Sequence, residues 1–294
     1  MPGCGALVDE VLEWLLAGDP AVRWQVQRDL TGGDWRGTRA RVAQEGWGAQ
    51  LLSHRRAGGI WPSGWYSPKW TSTFYSVQVL QHLGVPAPES VHALLAKGMQ
   101  PDGTFRLWPS GREDTCVRAM MLTMATGAGV PMPGSLERLM AEQMPDGGWN
   151  CQRQATHASF HTTLSTLEAL APFETTRADV AQAAGSGREF LLTHRLFRSH
   201  RTGEIVRESF TRFSFPHYWY YDVLRALDYW RAYAWDPRLE EALDLVRRKR
   251  HHGTWTLQNK HTGETWFDME RPGAPSRWNT LRALRAMQWA ESRS

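Results

Sequence analysis

The feature that most constrains the fold of this chain is an internal repeat. The segment MQPDGTFRLWPSGREDTCVRAMMLTMA, which begins at residue 99, recurs as MPDGGWNCQRQATHASFHTTLSTLEALA from residue 144. In each copy an Asp-Gly turn is followed by an aromatic residue, Phe105 in the first and Trp149 in the second. Weaker copies of the turn occur at Gly58–Trp61 and at Gly253–Trp255. Repetition of this kind is typical of a fold assembled from repeated structural units.

Each turn leads into a helix with a strongly apolar face. The segments STFYSVQVLQHL, TTLSTLEAL and RWNTLRALRAM place apolar residues at helical spacing. Second helices with polar faces are predicted between them, at residues 88–98, 134–143, 178–194 and 237–250. No segment shows the alternating pattern of a half-buried strand. The sequence therefore predicts an all-α ring of helical hairpins, in which the first helix of each pair faces a common centre and the second packs outside.

The N-terminal region is expected to complete this ring. Asp19 has the character of an N-cap and Pro20 that of a first helical residue, which together predict a helix over AVRWQVQRDL. We expect the ring to form one domain over residues 1–294, with the repeats clearest from about 45 to 290.

Composition excludes several classes of protein. The chain has 34 Lys+Arg against 30 Asp+Glu, and a net charge of +4 does not favour nucleic acid as a partner. No stretch approaches the roughly eighteen apolar residues of a membrane span, and MPGCGALVDEV lacks the pattern of a signal peptide, so a cytoplasmic protein is expected. The three cysteines are too few and too far apart for a disulfide framework, which leaves core thiols, metal ligands or nucleophiles: Cys4, Cys116 and Cys151.

The turns MPDGGWN and PDGTF, each leading into an apolar helix, resemble those of the superfamily of squalene-hopene cyclases and protein prenyltransferase β subunits. The resemblance covers most of the chain and implies an (α/α)6 toroid. The Asp-x-Asp-Asp motif of triterpene cyclases and the Asp-Asp-x-x-Asp motif of ionisation-dependent terpene synthases are both absent from the sequence. Prenyltransferase β subunits hold a catalytic zinc through an Asp-x-Cys and a later His, which implies Asp114, Cys116 and His161 as zinc ligands here. Arg112 and Arg118 would stand in for the residues that grip a diphosphate.

The register of the repeat supports the same site without reference to the family. Alignment of the predicted first helices gives four equivalent positions: Cys116, His161, Tyr218 and Pro275. A Cys and a His at first turns of neighbouring helices can converge on one ion, with Asp114 reaching it from the incoming loop. Three such ligands leave Zn²⁺ with an open position, as in catalytic zinc sites. The loop before the second helix offers two alternative ligands, Cys151 and His157. The competing interpretation is a buried thiol and a hydrogen-bonded imidazole without metal.

Aromatic residues near the starts of the first helices are predicted to line a substrate pocket at the same end of the ring. They are Trp65, Tyr66, Trp70, Trp219, Tyr221 and Trp266. Together with Arg112 they suit a hydrophobic or cation-forming ligand. The candidates for acid–base catalysis in this region are His217, Tyr218 and Asp222. Core packing is the alternative role for about half of the aromatic residues.

Three functions follow from these patterns. The leading hypothesis is a zinc-dependent, prenyltransferase-like enzyme that activates a thiol or water nucleophile against a small hydrophobic molecule, isoprenoids being one candidate class. The alternative is a metal-free terpenoid or polyketide cyclase in which an acid such as Asp114 or Asp222 donates the proton. A third hypothesis is a non-catalytic toroid that binds a lipid-like ligand or a partner protein.

Overall fold

The computed structural model describes residues 4–105, 114–152 and 154–293, and helices dominate these parts of the chain. The all-α fold class predicted from the periodicity is confirmed at this level. The helices are α1 (Cys4–Leu16), α2 (Pro20–Val26), α3 (Trp35–Arg41), α4 (Gly46–Ser53), α5 (Thr73–Leu83), α6 (Glu89–Gly98), α7 (Thr115–Gly127), α8 (Pro133–Ala141), α9 (Phe160–Leu170), α10 (Ala178–Thr193), α11 (Val223–Trp230), α12 (Glu240–Arg248) and α13 (Arg277–Glu291). A π-helical turn follows α2, and three 3₁₀ turns occur later: Gln27–Thr31, Ala171–Phe173, Glu208–Thr211 and Pro237–Leu239.

Two short strands accompany the helices, although the sequence predicted none. β1 (Trp255–Thr256) pairs antiparallel with β2 (Pro275–Ser276). Each strand has only two residues, and their pairing joins the last Gly-rich turn to the residues that lead into α13. Within the three described ranges, no helix combines the length and the apolar composition needed to cross a lipid bilayer.

The two kinds of helix predicted from the repeat differ in how far they are buried. Ten of the thirteen residues of α7 are buried, whereas only two of the ten residues of α6 are. The same contrast separates α9, with nine of eleven residues buried, from α12, with three of nine. A helix that is covered on nearly every side lies in the interior of the helical assembly, and one with a single buried stripe lies at its surface. The first and second helices of each pair therefore have the burial expected of them.

The tryptophans of the Gly-rich turns are fully buried and make the same hydrogen bonds in three repeats. Their indole N–H groups donate to carbonyls at the end of the preceding helix: Trp61 to Leu51 at 3.1 Å, Trp149 to Leu139 at 2.6 Å, and Trp255 to Val246 at 2.7 Å. Their backbone N–H groups donate to threonine hydroxyls of the following helix: Thr73 at 3.2 Å, Thr163 at 3.0 Å and Thr280 at 3.0 Å. Each turn thus joins the helix before it to the helix after it.

The N-terminal helices also have a shared anchor. Asp19 caps α2 by accepting a hydrogen bond from the backbone N–H of Ala21 at 2.8 Å, with Pro20 at the first helical position. Its second carboxylate oxygen accepts from the backbone N–H of Trp47 at 2.7 Å, in the first turn of α4. One carboxylate therefore satisfies orphan N–H groups of two helices, which fixes their relative position.

Contacts between helices form an unbroken succession. Neighbouring pairs pack in the order α2–α4, α4–α5, α5–α7 and α7–α9, and then α11–α13 and α13–α2. The link from α9 to α11 is made by Glu168 and Arg225, whose side chains form two hydrogen bonds of 3.0 and 2.5 Å. The link from α13 back to α2 includes a hydrogen bond of 3.0 Å from Arg285 to Gln25.

Candidate active site

The starts of α7 and α9 agree with the predicted register at two positions. Cys116 and His161 are each the second residue of their helix. Tyr218 and Pro275, which the same alignment made equivalent to them, lie outside any helix, because α11 begins only at Val223 and Pro275 belongs to β2. The alignment was therefore wrong for the last two repeats.

Cys116 faces a second sulfur rather than an imidazole. Its backbone N–H donates to Sγ of Cys151 at 3.2 Å, and the hydroxyl of Thr162 on α9 lies 3.3 Å from the same sulfur. Both cysteines are free thiols; Cys116 is buried and Cys151 is half-buried. Asp114 occupies the N-cap position of α7, where it is exposed and makes no side-chain capping bond.

The two histidines considered as ligands differ in their surroundings. Nδ1 of His161 lies 3.2 Å from the Ser159 hydroxyl, and its ring packs 5.9 Å from that of Trp219. Burial is the largest cause that lowers the pKa of His161 to about 4. His157 is exposed on the loop before α9.

The predicted zinc site is consequently not formed. Across the described residues, no group of three or more His, Cys, Asp or Glu side chains is arranged to hold a metal ion. The prediction of Zn²⁺ as cofactor, with Asp114, Cys116 and His161 as ligands and Cys151 or His157 as alternates, is therefore wrong. Repeat register places backbone positions at one height, but it does not direct the side chains, and here Cys151 enters from the loop to meet Cys116.

Several of the aromatic residues predicted to line a pocket pack against one another instead. The rings of Trp70 and Tyr218 stack at 4.0 Å, and Tyr218 meets Tyr75 edge-on at 5.6 Å. Trp70 and Tyr218 are only 2% and 5% exposed, so they offer little free surface to a ligand. Next to them Trp219 stacks on Tyr220 at 4.2 Å. These rings are therefore covered largely by one another and by the surrounding protein.

The other predicted substrate-binding residues have separate surroundings. Tyr221 is buried and donates its hydroxyl hydrogen to the carbonyl of Leu196 at 2.6 Å, which is a structural role. Trp266 is half-buried and donates to the Ser76 hydroxyl at 3.0 Å. Two further residues are half-buried: Trp65, whose ring lies 5.7 Å from that of Phe105, and Tyr66, whose hydroxyl lies 3.0 Å from that of Tyr75. Arg112 falls outside the described residues.

Asp222, a predicted catalytic acid, serves as the N-cap of α11. One of its oxygens accepts from the backbone N–H of Arg225 at 2.8 Å. The other accepts from the N–H and the hydroxyl of Ser214, at 3.2 and 3.0 Å. The residue is completely buried, and its three hydrogen bonds close residues 214–222 into a loop.

This loop carries His217, the third predicted catalytic residue, into a cavity of about 330 Å³. The ring of His217 meets that of His82, near the end of α5, edge-on at 4.6 Å. Apolar atoms of Met120, Val85 and Pro86 form part of the wall. The rest of the lining is Arg39, Gln78, Gln81, Thr123, Gly127 and Glu168. Seven of the eleven lining residues are polar or charged, although apolar atoms contribute more of the wall surface than polar ones.

Both cavity histidines are held neutral. Burial is the largest cause that lowers the pKa of His82, to about 3, and the guanidinium of Arg225 adds to it. Burial likewise lowers the pKa of His217 well below its ordinary range. Nδ1 of His217 lies 3.1 Å from the carbonyl oxygen of Tyr218, which can only accept. Nδ1 therefore carries the hydrogen, and Nε2 is the basic nitrogen of the ring.

Around the cavity lies a set of buried ion pairs. Glu168, on the cavity wall, is held by Arg225. Arg285 donates to Asp228 and, at 3.2 Å, to Asp29, while Arg282 lies 3.6 Å from Asp228. Burial alone would raise the pKa of Asp228, but Arg285 and Arg282 lower it to about 2. Their positive charge is also one reason why the neighbouring imidazoles resist protonation.

Sequence reasoning identified His217 but missed its partners on the cavity wall. Gln78 and His82 are four residues apart in STFYSVQVLQHL and so share one face of α5. Gln78 donates from its amide to the carbonyl of Tyr218 at 3.2 Å, and thereby ties the loop to that face. Polar residues at this spacing within an otherwise apolar helix were the available signal.

No protein family and no curated protein matches this sequence. Solved structures do resemble its fold. One is a crystal structure of a protein from Actinoplanes, 16% identical, with a TM-score of 0.50 over 98% of this chain and 99% of that one. Another is a type II terpene cyclase from Scytonema in complex with its substrate, geranylgeranyl dihydroxybenzoate, 14% identical, with a TM-score of 0.50 over 99% of this chain and 98% of that one. At these identities the likeness concerns the fold, which is terpenoid-cyclase-like.

Proposed function

We propose that this chain is a metal-free enzyme of the terpenoid-cyclase type, built as an (α/α)6 toroid in one domain. The closed succession of helix contacts from α2 through α13 and back to α2 supports the toroid. The likeness in fold to a type II terpene cyclase along nearly the whole chain supports the same architecture.

The observation that carries the enzymatic function is the cavity with its pair of neutral histidines. Its volume of about 330 Å³ is at the small end of the range for ligand sites, roughly 300–1,000 Å³. A compact, largely apolar molecule fits such a space. Cyclisation or isomerisation of a short isoprenoid is the chemistry of this fold type that needs no group other than acids, bases and a shaped wall.

The cavity side chains suit the last stage of such a reaction. The Nε2 atom of His217 is an unprotonated base, and it can take the proton that a cyclised cation loses. Glu168 is the one acidic residue of the described lining, and its carboxylate offsets the positive charge of Arg225, with which it is paired. Arg225 fixes the position of that carboxylate through two hydrogen bonds.

Of the two acids proposed as proton donors, Asp222 and Asp114, neither belongs to the described lining of this cavity. Asp222 uses both oxygens to cap α11 and to hold Ser214. We therefore propose that hydronium from solvent supplies the proton that generates the cation and that Nε2 of His217 accepts the proton lost at the end, so that one proton enters and one leaves. His82, in edge-on contact with His217, orients that base.

The test is turnover of short linear isoprenoids in the presence of a chelator, with products separated by gas chromatography and identified by mass spectrometry. We expect product without added metal, and a decrease of roughly 10²-fold or more in kcat for His217→Gln. His251→Gln changes an exposed histidine and is the matched control, with activity expected at the wild-type level. An activity that depends on added divalent metal, or that survives in His217→Gln, would contradict the proposal.

The third hypothesis, a toroid that binds without turnover, has one observation in its favour. Trp70, Tyr75 and Tyr218 pack together where a wide substrate entrance was expected. The same experiment separates the two functions. Saturable binding of an isoprenoid that is returned unchanged would support the binding protein, and formation of a new product would exclude it.

A further inference from the structure

The two sulfur atoms at the start of α7 are not used by the proposed reaction, and their surroundings differ. Sγ of Cys151 accepts a hydrogen bond from the backbone N–H of Cys116 at 3.2 Å, and the Thr162 hydroxyl lies 3.3 Å from the same sulfur. Interaction with the Cys116 side chain is the largest cause that lowers the pKa of Cys151. The backbone N–H of Cys116 favours negative charge on this sulfur, and the Thr162 hydroxyl does the same when it donates to it.

Cys116 has the opposite environment. It is 7% exposed, and donation of its thiol hydrogen to Cys151 together with burial raises its pKa. The exposed carboxylate of Asp114 raises it further. Cys151 is half-buried and so more accessible than Cys116. Cys151 is therefore the more acidic and the more accessible of the two thiols, and its sulfur lies against the backbone of Cys116.

We propose that Cys151 and Cys116 form a reversible dithiol–disulfide pair, in which Cys151 is the thiolate that reacts with hydroperoxides and Cys116 is the thiol that resolves the product. This modification site is separate from the cavity between α5, α7 and α9. Its arrangement, a thiolate at a helix start with a second thiol against it, is that of redox-active cysteines in general.

The chemistry balances with the hydroperoxide as the oxidant. The Cys151 thiolate attacks one oxygen, so that an S–O bond forms and the O–O bond breaks, and the departing hydroxide takes up a proton as water. Cys116 then attacks the Cys151 sulfenic acid. The S–S bond forms, the S–O bond breaks, and the hydroxyl group leaves as a second water with the Cys116 proton. Two thiols and one hydrogen peroxide thus give one disulfide and two waters, and a dithiol reductant reverses the change.

The disulfide would act on the hydrogen bonds at this end of the helices. Once bonded to Cys116, the Cys151 sulfur is neutral and a weaker acceptor, so the hydrogen bond from the Cys116 backbone N–H weakens and the contact with the Thr162 hydroxyl changes with it. The half-buried hydroxyl of Tyr66, which senses both sulfurs electrostatically, lies beside the pair. Oxidation therefore changes the charge next to the aromatic cluster without altering the cavity wall.

The experiment uses the full chain with Cys4→Ser, which removes the third thiol. The alkylation rate of Cys151 by iodoacetamide is measured against pH by peptide mass spectrometry. We expect its inflection to lie below the value of about 8.5 typical of a free thiol. Treatment with hydrogen peroxide should then yield a Cys116–Cys151 linked peptide that dithiothreitol reverses.

Two further variants make the roles of the residues separable. In Cys116→Ser, peroxide should leave Cys151 as a sulfenic acid that dimedone traps. Thr162→Val should raise the inflection pH of Cys151, and Thr162→Ser, which keeps the hydroxyl, should restore it. An inflection at or above that of a free thiol in the Cys4→Ser protein, or the absence of a linked peptide after peroxide, would overturn the proposal. These readouts do not depend on isoprenoid turnover.

Discussion

Replacement of His82 by Gln tests the electrostatics of the cavity directly. The folded protein holds this imidazole at a pKa of about 3, against an ordinary value of 6.5, chiefly because it is buried. Below pH 6.5 the unfolded chain takes up a proton at this residue and the folded protein does not. The stability that His82 contributes is therefore fully present above pH 6.5 and is lost progressively as the pH falls towards 3.

The size of the effect follows from the same two values. At pH 5 the unfolded imidazole is 1.5 pH units below its ordinary pKa while the folded one is still neutral, which corresponds to about 2 kcal/mol. Lowering the pH from 7 to 5 should thus reduce the free energy of unfolding of the wild-type protein by about 2 kcal/mol more than that of His82→Gln. Glutamine is neutral at both pH values and keeps a polar group at the cavity wall.

Urea unfolding at pH 7 and pH 5, followed by tryptophan fluorescence, measures how much the free energy of unfolding changes with pH in the wild type and in His82→Gln. Effects of the substitution on packing occur at both pH values and cancel. His251→Gln is the control, because that residue is exposed and should leave the pH dependence as in the wild type. If His82→Gln retains the full wild-type pH dependence, the buried, neutral His82 described above is refuted.

Two further predictions concern stability. The carbonyl of Leu139 accepts from the Trp149 indole and also from the backbone N–H of Glu142 at 3.3 Å. Trp149→Phe removes the indole donor and leaves a smaller ring in a fully buried site, and should lower the free energy of unfolding by about 1–3 kcal/mol. Trp219→Phe, at a half-buried ring, should change it little, and thermal and urea unfolding of both variants measure the contrast. Asp228→Asn removes the charged partner of Arg285 and Arg282 and should cost about 3–5 kcal/mol, measured by urea unfolding. The comparable change Asp244→Asn breaks an exposed pair with Arg247 and should cost less than about 1 kcal/mol, so equal losses would contradict the importance of the buried network.

Much of the fold could be predicted from the sequence because the repeat turns are local signals. The predicted second helix at 88–98 is observed as Glu89–Gly98, and that at 178–194 as Ala178–Thr193. The positions of Cys116 and His161 were correct for the same reason, since a turn of the same type precedes each helix at the same spacing.

The later repeats were harder to predict because the connection before α11 has no regular pattern. Residues 214–222 are held by the cap Asp222 and by a hydrogen bond from Gln78, and both contacts join residues whose pairing no periodicity reveals. Tyr218 adopts a positive φ of 49° within this loop, which is rare for a residue other than glycine. Alignment by leucine positions could not detect such a path.

The candidate site was predicted only in part, because side-chain direction depends on tertiary contacts. Spacing placed a Cys and a His at one height but could not show that Cys151 would occupy the space beside Cys116. The cavity is a void left between three helices and a loop, and a void has no sequence pattern of its own. His217 was selected because it is a histidine in an aromatic segment near a predicted helix start. His82 on α5 is recognised as a site residue only from its ring contact with His217.

The buried tryptophans of the turns have a consequence for modularity. Trp149 is bonded to Leu139 in α8 on one side and to Thr163 in α9 on the other, so the fastening lies between hairpins rather than within one. A single hairpin excised at the turns on either side would lose, at each turn, the hydrogen bonds that the turn tryptophan makes to the neighbouring hairpin. Each repeat therefore depends on hydrogen bonds to its neighbours, and the smallest fragment expected to fold by itself is larger than one sequence repeat.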